Sequence, residues 1–154
     1  MIVVSEAFKS WLIGCVGLRL LLVWGVFHVF ESKKNGNPQA VSLLFDGEVF
    51  GTLKYAPDGS SIAYSSDVVS ECDLGAEKVI SLESDEVFSS VIGEELISVS
   101  LVLSAVEDSV AGVLLKFSNS GYLSFINLGD ELFVYKEMPG EIVKCEGLEF
   151  LKLS

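Results

Sequence analysis

The chain has 154 residues, half of them hydrophobic, with a formal charge of −12 at neutral pH. That length can bury a core without covalent staples, and the apolar content excludes a disordered chain. The charge opposes nucleic-acid binding, whose affinity rests largely on Lys and Arg neutralising phosphates, and it suits a basic partner.

The first decision concerns Trp11 to Phe30, 20 residues interrupted by only Arg19 and His28. That is the length of a membrane span, although an Arg near the middle costs about 2.5–3.5 kcal/mol on insertion scales. The other reading divides the run. Ser5 caps a short helix with Phe8, Trp11 and Leu12 on one face, and Gly14 or Gly17 ends it. Val16–Val23 and Val26–Phe30 then form a hairpin across Trp24-Gly25, with Arg19 facing away from Leu18, Leu20 and Leu22.

An echo within the chain favours the divided reading. Residues 8–14, FKSWLIG, resemble 88–93, FSSVIG; 25–30, GVFHVF, resemble 112–117, GVLLKF; and 41–50 resemble 123–133. The order of the three matches is kept, which leaves open an internal duplication with halves 5–64 and 85–135, each a helix followed by a small antiparallel sheet.

Further along, residues 32–39 read as a polar loop. Val41–Phe45, Gly51–Tyr55 and Ser61–Tyr64 read as strands, with a Pro-Asp-Gly turn at 56–59. Asp67 to Ser84 is acidic with sparse hydrophobics, a long loop or short helix. Leu96–Leu103 alternates Ile97, Val99, Leu101 and Leu103 against Ser98, Ser100 and Val102.

The clearest signal is Gly112–Tyr135, three strands joined by turns at Ser118–Gly121 and Asn127–Asp130. Its core face is Phe117, Leu123, Phe125, Leu132 and Val134. Val143–Leu153 closes the chain as an edge strand. The fold expected is α+β, predominantly antiparallel β-sheet with one or two short helices, in a single domain spanning 1–154.

Catalytic signatures are absent from the sequence. The one histidine, His28, lies in an apolar run, and no nucleotide-binding or nucleophile-elbow motif occurs. The adjacent acids (Asp85-Glu86, Glu94-Glu95, Glu107-Asp108, Asp130-Glu131) diverge on either kind of element and make poor dyads. Cys15, Cys72 and Cys145 have no metal-ligand or disulfide spacing and fit reduced thiols in the cytoplasm. The expectation is therefore no enzyme, no cofactor and no metal.

The segment Gly112–Tyr135, with its strand, Gly turn, second strand and Asn-Leu-Gly-Asp-Glu-Leu turn, resembles the closing strands of immunity proteins from bacterial polymorphic toxin and contact-dependent growth inhibition systems. Ile13-Gly14 after a short helix and its echo Ile92-Gly93 fit the same layout. The resemblance implies a cytoplasmic protein that occludes one cognate toxin domain, often a nuclease, and does no chemistry itself. Its partner is then a basic protein, with neither nucleic acid nor membrane engaged. The candidate contact residues are Asp67, Glu71, Asp73, Glu77, Glu83, Asp85 and Glu86. They belong to a stretch, 67–95, that holds nine acids and one base, Lys78. Two alternatives stay open: a small β domain anchored by residues 11–30, and a β-sheet binding module for another partner.

Overall fold

A computed structural model describes residues 5–30, 33–67, 77–129 and 131–153. Ser5 accepts a hydrogen bond from the Phe8 N–H at 3.2 Å and starts α1, Glu6–Cys15, which buries Phe8, Trp11, Leu12 and Cys15 on one stripe. Five strands follow: β1 Leu20–Phe30, β2 Lys33–Phe45, β3 Val49–Tyr55, β4 Ile62–Ser65 and β5 Glu77–Ser81. A one-turn helix, α2 Glu86–Ser89, leads into β6 Leu96–Ser104, β7 Ser109–Phe117, β8 Tyr122–Asn127 and β9 Leu132–Tyr135. Then come α3, Gly140–Glu146, and β10, Leu148–Lys152. The sheets are antiparallel, ordered β4-β3-β2-β1-β5 and β10-β6-β7-β8-β9, and pack face to face on one core.

The second sheet repeats the first strand for strand. Pairings Leu20↔Phe45, Val23↔Leu43 and Val26↔Ala40 recur as Leu96↔Phe117, Val99↔Leu115 and Val102↔Gly112, and both ladders carry register shifts at the same two places. Val41↔Leu53 recurs as Val113↔Phe125, Leu53↔Tyr64 as Phe125↔Val134, and Gly25↔Ile80 as Leu101↔Leu151. Where the repeats meet, Arg19 and Glu95 form an antiparallel bridge and the hydrogen bonds cross in pairs. The Gly17 N–H donates to Leu96 O at 2.8 Å and the Gly93 N–H to Leu20 O at 2.6 Å; the Leu96 N–H donates to Leu18 O at 2.8 Å and the Leu20 N–H to Glu94 O at 3.2 Å. Gly17 and Gly93 both have positive φ, +92° and +83°, with open space where a Cβ would stand, so glycine serves the backbone turn there.

Several expectations are corrected. Trp24-Gly25 is no turn: β1 runs through it and pairs with β2. A Cβ on the buried Gly25 would meet Leu82 Cδ1 at 3.1 Å, so this glycine makes room for packing. Residues 11–30 are therefore helix end and strand, and among the described residues no helix is long and apolar enough to cross a membrane. The expected loop at 32–39 belongs from Lys33 onward to β2, and the expected loop at 67–84 contains β5. The closing segment begins as α3 before it becomes the edge strand β10. α3 brings Ile142 and Val143 against Val102, Ala111 and Ile126, which is why Val102, read as a polar-face residue, is buried.

A register shift after Leu96 throws Ile97 outward, out of phase with the buried Val99 and Leu101. In the Ser118–Gly121 turn the positive φ falls on Ser120, at 68°. Gly121 serves packing instead, since a Cβ there would stand 2.8 Å from Val91 Cγ1. The echoes of residues 25–30 with 112–117 and of 41–50 with 123–133 paired the wrong strands, because β7 corresponds to β2 and β8 to β3, and the echo of 8–14 with 88–93 is out of step, because Gly93 corresponds to Gly17. The three-strand meander and its core face stand as expected: Phe117, Leu123, Phe125 and Leu132 are fully buried and Val134 packs against them.

Candidate partner-binding surface

The acidic stretch reaches the described structure at both ends of sheet one. Asp67 follows β4, is exposed, and is tied down by its backbone. Its N–H donates to Ser65 Oγ at 3.0 Å and its carbonyl accepts the Thr52 hydroxyl at 2.8 Å, a hydroxyl that also bonds Ser42. The carbonyl therefore lies over β3, three strand spacings from β5, roughly 14 Å at about 4.8 Å per strand. Glu77 opens β5 on the far edge. Glu71 and Asp73 lie outside the described residues, as do Cys72 and Asp130.

Glu83, Asp85 and Glu86 come together around the start of α2. The chain is fastened there by the Leu82 N–H, which donates to Val23 O at 2.9 Å, and by Leu82 and Phe88, both buried. Asp85 is the N-cap: its Oδ1 accepts the Val87 N–H at 3.1 Å, a local bond for which Asp is well suited. Glu86 projects into solvent in the first turn. Five of the seven candidates thus lie in the described residues: Asp67 on one flank, and on the other Glu77 at the start of β5 and the trio Glu83, Asp85 and Glu86 at α2. Glu94 and Glu95 continue the acidic rim on the far side of α2, beside Arg19.

Beside α2 lies a cleft of about 140 Å³ lined by Phe27, Leu82, Val87, Phe88 and Val134 together with Asn37, Pro38 and Asp85. Sequence reasoning marked the acids but missed the apolar floor, because its residues come from β1, the α2 segment and β9, more than 100 positions apart in the chain.

A second cleft, about 250 Å³, lies between the β3–β4 turn and the end of sheet two, among Ser60, Ser104, Glu107, Asn127 and Glu146. Its polar side chains act as latches. Asn127 Nδ2 donates to Ser61 O at 2.9 Å, Ser109 Oγ to Ser60 O at 3.2 Å and Ser104 Oγ to Glu146 O at 3.2 Å. The turn opposite is held by Asp58, whose carboxyl sits below its usual range because the Ser61 hydroxyl and the Ser60 and Ser61 N–H groups all donate to it.

Among the described residues no group of three or more His, Cys, Asp or Glu converges as metal ligands would. Cys15 is buried and its thiol is pushed up to about 12 by desolvation, whereas Cys145 is exposed; both are free. No protein-family model, curated protein or solved structure matches the chain.

Proposed function

We propose that the chain is an immunity-type binding protein that neutralises a basic toxin domain by occupying its cationic surface, and that it carries out no chemistry. The observation that supports this most is the grouping of Glu83, Asp85 and Glu86 around the start of α2, next to a cleft with apolar walls, in a stretch with one base among nine acids. A nuclease that grips phosphate presents clustered Lys and Arg, and an acidic surface steers rapid encounter with it and competes for the same groups. Apolar side chains next to clustered acids allow a buried anchor to supply affinity while the neighbouring charge supplies rate. On this reading the chain acts in the cytoplasm, and it engages neither nucleic acid nor membrane.

The test is protection. The full chain is expressed in cells carrying each of a panel of bacterial nuclease toxin domains. A parent chain that rescues one of them is compared with a Glu77→Lys, Glu83→Lys, Glu86→Lys variant that unfolds at the parent's midpoint. Loss of rescue is expected. Full rescue by the folded variant, or no rescue by the parent across the panel, contradicts the proposal.

A further inference from the structure

β10, the strand that ends sheet two, lies open along most of its length. After Leu148 every residue of it is exposed, Phe150 by 44% and Leu151 by 51%. Phe150 pairs with Val102 on the face that α3 covers further along, and Leu151 with Leu101 on the core face, so neither face of this edge is covered. β5 holds the matching place in sheet one, yet Val79 and Ile80 there are half-buried. Among the described residues of β4, β5 and β9, the other edge strands, none is a large exposed hydrophobic.

The ladder shows which backbone groups of β10 are spare. The Leu153 N–H donates to Val99 O at 2.9 Å, and the Ala105 N–H donates to Gly147 O at 3.1 Å. By the antiparallel alternation Glu149 and Leu151 also turn their backbone groups to β6, while Leu148, Phe150 and Lys152 turn theirs away from the sheet. A row of unpaired N–H and C=O groups carrying exposed apolar side chains is a template for another strand.

We infer that β10 is a contact between two copies of this chain, each pairing its β10 antiparallel with the other's about a two-fold axis, so that the second sheets join into one. The occupant is a second copy because the strand complements itself. An axis at Phe150 sets Phe150 opposite its equivalent and Leu148 opposite Lys152 in both directions, which pairs all three outward residues through about six hydrogen bonds. The same register sets Glu149 opposite Leu151, so like charges never face each other directly. β10 carries one Glu and one Lys in a chain of −12, and so offers nothing that selects a cationic segment. α2 and its acids lie by β9 at the opposite edge of sheet two, about 19 Å away at about 4.8 Å per strand, and stay free in the dimer. The inference is thus independent of the proposed function.

The experiment is sedimentation equilibrium of the full chain from micromolar to millimolar concentration, with reductant present because Cys145 is exposed. A reversible monomer–dimer equilibrium is expected. It should be tighter at about 300 mM salt than at about 50 mM, since salt screens the repulsion between two acidic copies. Hydrogen exchange read by NMR on dilute and concentrated protein should slow at least tenfold for the Phe150 and Lys152 amides on dimerisation. Phe150→Pro removes an outward N–H and no bond to β6, and Phe150→Lys sets like charges across the axis while leaving the exposed site foldable. Each folded variant is expected to weaken the dimer at least tenfold.

A chain that stays monomeric throughout, or a dimer of unchanged strength in the folded variants, overturns the inference. So does a dimer in which the Phe150 and Lys152 amides exchange as fast as in the monomer, or growth beyond two copies.

Discussion

Gly51→Ala is the most informative single change in the core. The added Cβ would stand 2.2, 2.4 and 2.7 Å from Trp11 Cε2, Cζ2 and Nε1. Carbon atoms in contact prefer about 3.5–4.0 Å, so the indole must retreat by about 1.3 Å or more. It cannot do so freely, because it is buried and stacked on Tyr64. Overpacking of this kind costs about 1–3 kcal/mol, offset in part by the roughly 0.5–1 kcal/mol that Ala gains over Gly inside a strand. A net loss of about 1–2 kcal/mol is expected. Trp11→Ala alone should cost about 3–5 kcal/mol. In that background the obstacle is gone, and Gly51→Ala should become neutral or stabilising by up to about 1 kcal/mol. The double-mutant cycle, read by urea unfolding with unchanged m-values, should therefore return a coupling of about 1–3 kcal/mol. Additivity within about 0.5 kcal/mol would refute the packing of the indole on Gly51.

Leu20 and Leu96 occupy corresponding, fully buried positions, so each Leu→Ala change should cost about 2–5 kcal/mol and the two should agree within about 1 kcal/mol in denaturant melts. Thr52 and Ser124 also correspond, yet Thr52 Oγ1 is hydrogen-bonded and Ser124 Oγ is buried without a partner. Thr52→Val should cost about 1–3 kcal/mol, whereas Ser124→Ala should be neutral or slightly stabilising, a contrast that thermal unfolding resolves. The Cys15 thiol, raised by burial to about 12, holds its proton in the folded state above pH 9 while the unfolded chain loses it. Stability should thus be unaffected by this group below about pH 8.5 and fall by up to about 1.4 kcal/mol per pH unit between pH 9 and 12. Cys15→Ala should flatten that slope in urea titrations across the range. At pH 8 a thiol reagent should modify Cys145 and spare Cys15 until the chain unfolds.

What could be read from the chain was whatever local spacing decides. The Ser5 cap, the Phe8-Trp11-Leu12 stripe and the alternation of Val113, Leu115 and Phe117 are each set within one element, and the structure has them as expected. The errors arose where tertiary packing decides. Gly25 and Gly121 are glycines because Leu82 and Val91 lie against them, which no neighbouring residue in the sequence announces. β2 accepts Lys33 to Pro38 because β1 lies beside its first residues to pair with, despite a polar and Pro-containing composition. The repetition was legible only in outline: the echo of 8–14 with 88–93 is out of step, since Gly17 and not Gly14 corresponds to Gly93, and the strand echoes followed Gly-Val and Phe spacing that does not mark corresponding strands. The acidic rim was legible because charge is counted along the chain. The cleft beside it was not, because Phe27 and Val134 reach it from different sheets.

The central claim is that this acidic surface meets a cationic partner. It is tested most directly by the association rate with the toxin domain the chain protects against, measured by stopped flow from 50 to 300 mM salt. Exposed charges are screened beyond about 10 Å at 0.1 M, so electrostatic steering predicts a rate that falls at least tenfold across that range, and a much shallower fall for the Glu77→Lys, Glu83→Lys, Glu86→Lys variant. A rate independent of salt, or the same steep dependence in parent and variant, would contradict it.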